Sequence, residues 1–359
     1  MKKLFFTVVA FALLIVGCSK NDEGQGLYKE TDYADLNLKI NLLPNVQSPV
    51  YYGTKATGND HGNGTYDKVL NRLDIFIFDQ ATGQLDGYKS FTSSELSALT
   101  GLEIKTKLGK KEIYAVANAD ASAWSGIVSK NQFLQIENLL KNENYKSLVM
   151  SGSVTKEITA SCDVEMTIQR LACRIVVNNV KSAFAGTPYA GQQLQNVKVY
   201  LTNVNGNVTI GKGEHPATPV FLNKGGYVAS DNSAFVTSGA LYDVLGNVGD
   251  AGITSPHYFY CYENTIDEES DTEKFTRLVI EATLNGETYY YPININREKY
   301  GWNASNGHKG VMRNRSYQYD ITILRPGSTD PDEIVDISAF SLDVSIDDWK
   351  IIPNSNVEF

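Results

Sequence analysis

Alternating apolar and polar residues constrain the fold of this chain more than any other feature. Across residues 35–43 every second side chain from Leu36 to Leu42 is aliphatic, and the residues between these four are polar. Because successive side chains of a strand point to opposite faces, this pattern predicts a half-buried β-strand. The aliphatic members of this first strand are Leu36, Leu38, Ile40 and Leu42.

Similar apolar runs recur along the chain, separated by turn-forming residues. The Asn285-Gly286 pair lies between two such runs and is typical of a two-residue hairpin loop. A helix is predicted only at residues 131–149, so we expect an all-β chain of β-sandwich architecture. Further strands are predicted at residues 69–78, 85–91, 112–118, 164–180, 197–203, 208–210, 257–262, 275–284, 288–295 and 317–324.

The amino-terminal segment has the features of a secretory signal. Lys2 and Lys3 precede an apolar run over residues 4–16, which is shorter than the roughly 20 residues needed to span a bilayer. The run ends in Gly17 and Cys18, the arrangement of a bacterial lipobox, in which the signal is cut before a cysteine that carries a lipid. The polar residues that follow predict a tether between this anchor and a folded body.

Composition argues against several classes of function. The net charge of −9 does not suit a nucleic-acid-binding surface. The four histidines form no zinc-ligand pattern, and no nucleophile elbow, phosphate loop or dinucleotide fingerprint is present. We therefore expect no catalytic residue, no metal and no cofactor. Cys162, Cys173 and Cys261 are interpreted as small core residues, and whether any of them pair is left open.

Several segments, in a fixed order along the chain, carry a family resemblance. After the lipobox and the first strand come a glycine-rich loop with a basic residue and a series of short motifs. The chain resembles the FimA-like major fimbrillins of type V pili over nearly its whole length. The matching segments are Lys55-Ala56, Leu73 to Asp79 with the Gly83 hairpin, Ala115 to Asn118, Arg170 to Ile175, Phe259 to Asn264, Asn314 to Asp320, and Trp349.

The resemblance implies two transthyretin-like β-sandwich domains and a structural role in a pilus. It implies export as an outer-membrane lipoprotein, with a lipid such as palmitate on Cys18, and later cutting between Lys55 and Ala56 by an Arg/Lys-specific, trypsin-like protease. Arg72 is the nearest arginine to this bond, but it lies in a predicted strand. The implied divisions are a signal (1–18), a tether with a removable first strand (19–55), a first sandwich (56–181), a second sandwich (182–333) and a donor segment (334–359).

The carboxyl-terminal segment follows a polar, proline-rich break and has alternating aliphatic residues of its own. A sheet that loses an edge strand exposes backbone groups and an apolar groove that another strand can fill, so this segment is predicted to fill the groove of a neighbouring copy. Head-to-tail contacts of this kind produce open filaments. The predicted donor residues are Leu342, Val344, Ile346, Trp349 and Ile351.

Two other interpretations of the sequence stay open. A tip or anchor subunit would share the export signal and the fold; a shaft subunit is favoured because both the basic loop residue and the carboxyl-terminal segment are present. A lipid-anchored surface protein that binds a glycan or a host protein is the alternative from another class. The expected partners are further copies of the chain, minor pilus subunits, the protease and, until cleavage, the outer membrane.

Overall fold

The computed structural model describes residues 32–42, 69–233, 235, 241–270, 272–333 and 339–348. Those from Tyr33 onward form one compact unit, and strands dominate it, which confirms the predicted all-β class. The helical elements described are α1 (Lys130–Leu134), α2 (Ala229–Ser233) and short 3-10 turns. The strands are β1 (Tyr33–Leu42), β2 (Arg72–Asp79), β3 (Leu85–Thr92), β4 (Leu102–Lys107), β5 (Gly109–Ala117), β6 (Glu137–Leu139), β7 (Met150–Ile158), β8 (Cys162–Arg170), β9 (Ala172–Ser182), β10 (Leu194–Thr202), β11 (Val204–Asn205), β12 (Asn207–Thr209), β13 (Phe221–Leu222), β14 (Tyr242–Val248), β15 (His257–Tyr262), β16 (Asn264–Thr265), β17 (Arg277–Leu284), β18 (Glu287–Asn294), β19 (Gly310–Val311), β20 (Arg315–Ile323) and β21 (Phe340–Asp348).

The first half of the chain forms a seven-stranded sheet in the order β3-β2-β5-β7-β8-β1-β4. Its inner face encloses an apolar core to which all seven strands contribute. The sheet curls, and its two ends approach each other: Lys89 Nζ on β3 donates to the carbonyl oxygen of Glu103 on β4 at 2.7 Å. The two outermost strands therefore lie side by side, and β1 lies within the sheet rather than at its edge.

The second half forms two four-stranded sheets, β14-β10-β17-β18 and β15-β9-β20-β21. Side chains of both sheets belong to one continuous core, so this half is a β-sandwich. The predicted hairpin between β17 and β18 is confirmed, because Leu284 pairs with Glu287 across the loop. Asn285 and Gly286 have φ values of 57° and 86°, the left-handed conformation that such a two-residue turn requires.

The predicted helix over residues 131–149 is wrong beyond its first turn. A capping box between Ser129 and Gln132 starts α1, but the helix ends at Leu134. Residues Glu137–Leu139 instead form β6 and pair with β12, and Leu140 donates its backbone N–H to Gly206. The apolar residues here are spaced too irregularly to form one apolar face of a helix. Backbone pairing with a distant segment therefore determines the local structure.

The passage between the two halves occurs at Leu171, between β8 and β9. Strand β8 belongs to the seven-stranded sheet, whereas β9 pairs with β15 and β20 in the second half. This change of sheet therefore comes before the predicted domain boundary between residues 181 and 182, which falls at the end of β9. The domain limits themselves remain predictions.

Two general properties of the described residues bear on function. None of their helices is long and apolar enough to cross a membrane. Within the same ranges no three potential metal-binding side chains come together.

Candidate functional site

Strand β1 lies between β4 and β8 and is bonded to both. It runs antiparallel to β4, with Leu38 opposite Leu102, and parallel to β8, with Leu38 opposite Val164. The predicted alternation is confirmed: Leu36 and Leu38 are fully buried, Ile40 is 4% exposed, and the half-buried Leu42 packs at the end of the same core. The strand therefore fills a groove, called the β1 seat below, that has an apolar floor and a hydrogen-bonded neighbouring strand on each side.

The outer face of β1 makes only surface contacts. Asn37 donates to Asp163 at 2.8 Å, and Lys39 and Asn41 donate to one oxygen of Glu165 at 2.9 and 2.6 Å. The hydrogen bond from Asn41, and then the one from Lys39, lower the pKa of the Glu165 carboxyl. Both members of the Lys39–Glu165 ion pair are more than half exposed, so solvent screens the pair and its contribution to stability is small.

Apolar burial and backbone pairing therefore hold β1 in place. Fully burying an aliphatic side chain stabilises by about 1.5–3 kcal/mol, so Leu36, Leu38 and Ile40 together contribute roughly 4.5–9 kcal/mol before the entropy cost of ordering the strand. The half-buried Leu42 adds less than a full share. A cut in the chain after β1 would leave every one of these contacts intact.

Strand β21 is the described counterpart at the other end of the chain. It is the edge strand of its sheet and pairs antiparallel with β20 from Phe340 to Asp348. Leu342, Val344 and Ile346 are half-buried and pack against the core of the second half. This segment is thus a paired edge strand in the monomer, whereas its sequence suggested an appendage beyond a complete domain. It takes this place because its alternating aliphatic face matches the apolar surface beside β20.

Two contacts attach the outer part of β21. A carboxylate oxygen of Asp348 lies 2.6 Å from a guanidinium nitrogen of Arg315 on β20. Val344 lies against Gly301, where a Cβ would come within 2.6 Å of a valine methyl. Gly301 also has φ +96°, so only glycine lets the backbone approach this strand without strain.

Most of the remaining predicted site residues lie outside the part of the chain that the structure describes. Cys18, Lys55, Ala56, Trp349 and Ile351 lie outside the described residues, so their roles stay predictions. Arg72 begins β2, as the sequence suggested, and pairs with the buried carboxylate of Asp74 at 2.7 Å. The hydrogen bonds that Arg72 donates to Asp74 raise the pKa of Arg72. Its backbone lies inside the paired strand β2, where a protease cannot bind it in extended form.

Three sequence motifs that are far apart in the chain meet on adjacent strands. Arg170 to Ile175 ends β8 and begins β9, and Phe259 to Tyr262 pairs with β9 on one side. Ser316 to Tyr319 on β20 pairs with β9 on the other side, in parallel. The motifs thus lie on three adjacent strands of the sheet that carries β21.

Sequence reasoning missed Arg313, a half-buried residue between β19 and β20. Its guanidinium donates to the carbonyl oxygens of Gln169, Arg170 and Ser151 in the first half, at 2.9–3.2 Å, and to that of Lys212 in the second half at 2.9 Å. Burial lowers its pKa to about 10, so it stays charged at neutral pH. Arg313 joins the ends of β7 and β8 to the second half, and no local spacing in the sequence signals that role.

The sequence and the fold of this chain were compared with those of known proteins. Residues 36–224, more than half of the chain, match the family described as "Major fimbrial subunit protein (FimA)". Fim1C of Parabacteroides distasonis, described as a candidate fimbrium tip subunit, is 22% identical over 327 residues, covering 80% of this chain and 82% of Fim1C.

Two solved structures share the fold. A candidate cell adhesion protein from Parabacteroides distasonis superposes with a TM-score of 0.62 at 19% identity, over 90% of this chain and 99% of the other. A fimbrilin (fimA) from Porphyromonas gingivalis W83 gives a TM-score of 0.59 at 16% identity, over 89% and 99%. The chain belongs to the FimA family of major fimbrial subunit proteins.

Proposed function

We propose that this chain is a structural subunit of a cell-surface pilus that polymerises by donor-strand exchange. The observation that carries the proposal is the position of β1 within the sheet, between β4 and β8. Family membership and the names of the relatives support the pilus role. The strand ladder on both sides of β1 supports the exchange.

Removal of β1 would create an acceptor groove. Strands β4 and β8 would each be left with a row of unpaired N–H and C=O groups, which readily pair with another strand. The groove floor is apolar and buried, and includes Leu102, Ile104, Val164, Met166 and Ile168. Exposing this surface to water is costly, so an empty groove takes up an alternating aliphatic strand.

Strand β21 has the chemistry required of the donor. Its Leu342, Val344 and Ile346 repeat the spacing of Leu36, Leu38 and Ile40. In the monomer, β21 has one partner strand and half-buried aliphatic side chains, whereas the β1 seat provides two partner strands and full burial. Moving from its own edge to a neighbour's groove therefore increases both backbone pairing and apolar burial. Trp349 and Ile351 would extend the donor.

The proposed steps before exchange are those that the family resemblance implies. Signal cleavage leaves Cys18 as the lipidated amino terminus, which anchors the precursor in the outer membrane. A trypsin-like protease then cuts between Lys55 and Ala56, in the segment joining β1 to β2, and the lipidated piece with β1 is displaced by a donor. The shaft role is favoured over the tip role because a shaft subunit must both lose a strand and supply one, and this chain has both segments.

The test is replacement of Lys55 in cells that display the protein. Lys55→Ala should abolish cutting, so the full chain stays lipid-anchored and no pili are seen by electron microscopy. Lys55→Arg is the matched control, since it keeps a residue the protease accepts and should form pili whose subunits begin at Ala56. Pili from Lys55→Ala cells, or mature subunits with another amino terminus, would refute the processing step.

The carboxyl-terminal donor is tested separately. Deletion of residues 334–359 should leave an exported protein that is cut normally yet forms no filaments. Because β21 pairs with β20 in the monomer, the truncated protein should also lose some thermal stability. Filaments of normal length from the truncated chain would contradict the donor assignment.

A further inference from the structure

Two cysteines that are far apart in sequence face each other inside the second half of the molecule. Cys173 on β9 and Cys261 on β15 are direct partners in an antiparallel strand pair. Their sulfur atoms lie 3.0 Å apart, and neither side chain is exposed to solvent. Both are free thiols in this structure. Cys162, the other cysteine among the described residues, lies half-buried on β8 in the seven-stranded sheet.

The backbone positions suit a covalent bond. Directly opposite residues of antiparallel strands have Cα atoms roughly 4.5 or 5.5 Å apart, and both spacings fall within the range of about 4.4–6.8 Å found for disulfides. The two side chains point to the same face of the sheet because the residues are in register. The sulfur atoms, 3.0 Å apart, need to approach by only about 1 Å to reach the length of a disulfide bond.

We propose that Cys173 and Cys261 form a disulfide in the exported protein. The proposal depends on the export step of the proposed function, because disulfides persist in oxidising compartments outside the cytoplasm. The oxidant is a disulfide-bearing thiol oxidase of the periplasm. Since both cysteines are fully buried in the folded chain, exchange takes place during folding, before the core of the second half closes.

The reaction is a two-step exchange. The thiolate of one cysteine attacks a sulfur of the oxidant's disulfide, which breaks that bond, releases one oxidant thiolate and leaves a mixed disulfide. The thiolate of the other cysteine then attacks the protein sulfur of the mixed disulfide and releases the second oxidant thiolate. In total, two protein thiols lose two protons and two electrons, and one oxidant disulfide becomes two thiols.

The position of the bond relates it to strand exchange. It joins β15 to β9, and β9 pairs with β20, the strand that holds β21. When β21 leaves for a neighbour, β20 loses its outer partner and becomes the open edge of the three remaining strands, β15, β9 and β20. A covalent link between two of these three strands would keep the sheet together while its edge is open.

Peptide mapping of the full chain, expressed with its own signal, tests this inference. Membrane-bound protein is denatured without reductant, alkylated, digested and examined by mass spectrometry. The expected result is one linked pair of peptides containing Cys173 and Cys261, which reductant separates, and complete alkylation of Cys162. Cys162→Ser should leave the linked pair unchanged, whereas Cys173→Ser should abolish it and leave Cys261 alkylated.

Several outcomes would overturn the proposal. They are alkylation of both Cys173 and Cys261 before reduction, a link from either one to Cys162, or a link to another molecule. The same cells are examined for pili, so the two proposals can fail separately. Pili built from subunits with alkylated Cys173 and Cys261 would refute the disulfide alone, and linked subunits that form no pili would contradict only the assembly role.

Discussion

Leu38→Ala should weaken the seat of β1 without altering the rest of the molecule. Leu38 is fully buried at the centre of the strand, between Leu102 on β4 and Val164 on β8. A buried Leu→Ala change costs about 2–5 kcal/mol, because apolar burial is lost and a cavity stays behind. After cutting at residue 55, only non-covalent contacts hold β1 in the sheet. The lost free energy therefore weakens the binding of β1 to the rest of the molecule.

The expected effect is large enough to measure as a rate. With about 1.4 kcal/mol for each factor of ten, loss of 2–5 kcal/mol corresponds to strand release roughly 30- to 4,000-fold faster than in wild type, if the full cost applies to dissociation. Filament growth should then start earlier, because the acceptor groove opens sooner. The uncut variant should unfold at a lower temperature but remain folded.

The assay follows the released strand directly. Precursor cut at residue 55 is diluted, and samples taken over time are separated by size exclusion and weighed by mass spectrometry. Asn37→Ala is the matched control, since this exposed side chain loses only one surface hydrogen bond, to Asp163, worth about 1 kcal/mol or less. If Leu38→Ala released β1 at the wild-type rate, the view that inner-face burial retains the strand would be refuted.

Three further predictions test separate parts of the structure. Val344→Asp should lower monomer stability modestly and prevent filaments, while Ser341→Asp on the exposed face should do neither; electron microscopy and thermal melts distinguish them. Burial raises the pKa of Glu143 to about 7, so its carboxyl holds a proton in the folded state between about pH 4.5 and 7. The free energy of unfolding therefore falls by about 3 kcal/mol as the pH rises through that window. Glu143→Gln should remove that pH-dependent loss in denaturant titrations, and an unchanged slope would contradict it. Arg313→Met should destabilise the precursor by several kcal/mol, because buried carbonyl oxygens lose their donor; a wild-type denaturation midpoint would exclude this role.

Local patterns predicted the features that depend on neighbouring residues alone. The alternation at Leu36, Leu38 and Ile40 predicted a strand with one buried face, because side-chain direction in a strand follows from backbone geometry. The Asn285-Gly286 loop was predictable for a similar reason, since few residues tolerate positive φ. Where the local signal was weak, as over residues 131–149, pairing with a distant strand determined the structure. Strands β4, β7 and β14 were missed because their apolar residues are few or irregularly spaced.

The sequence by itself thus determined the fold class, the position of the first strand and the family, since each is carried by contiguous residues. Only the tertiary structure decided which strands are partners. It placed β1 between β4 and β8, seated β21 at the edge beside β20, brought Cys173 opposite Cys261, and directed Arg313 to carbonyl oxygens from both halves. These relations join residues dozens of positions apart in the chain, and a strand's own residues specify which face is buried but leave open which neighbour supplies its hydrogen bonds.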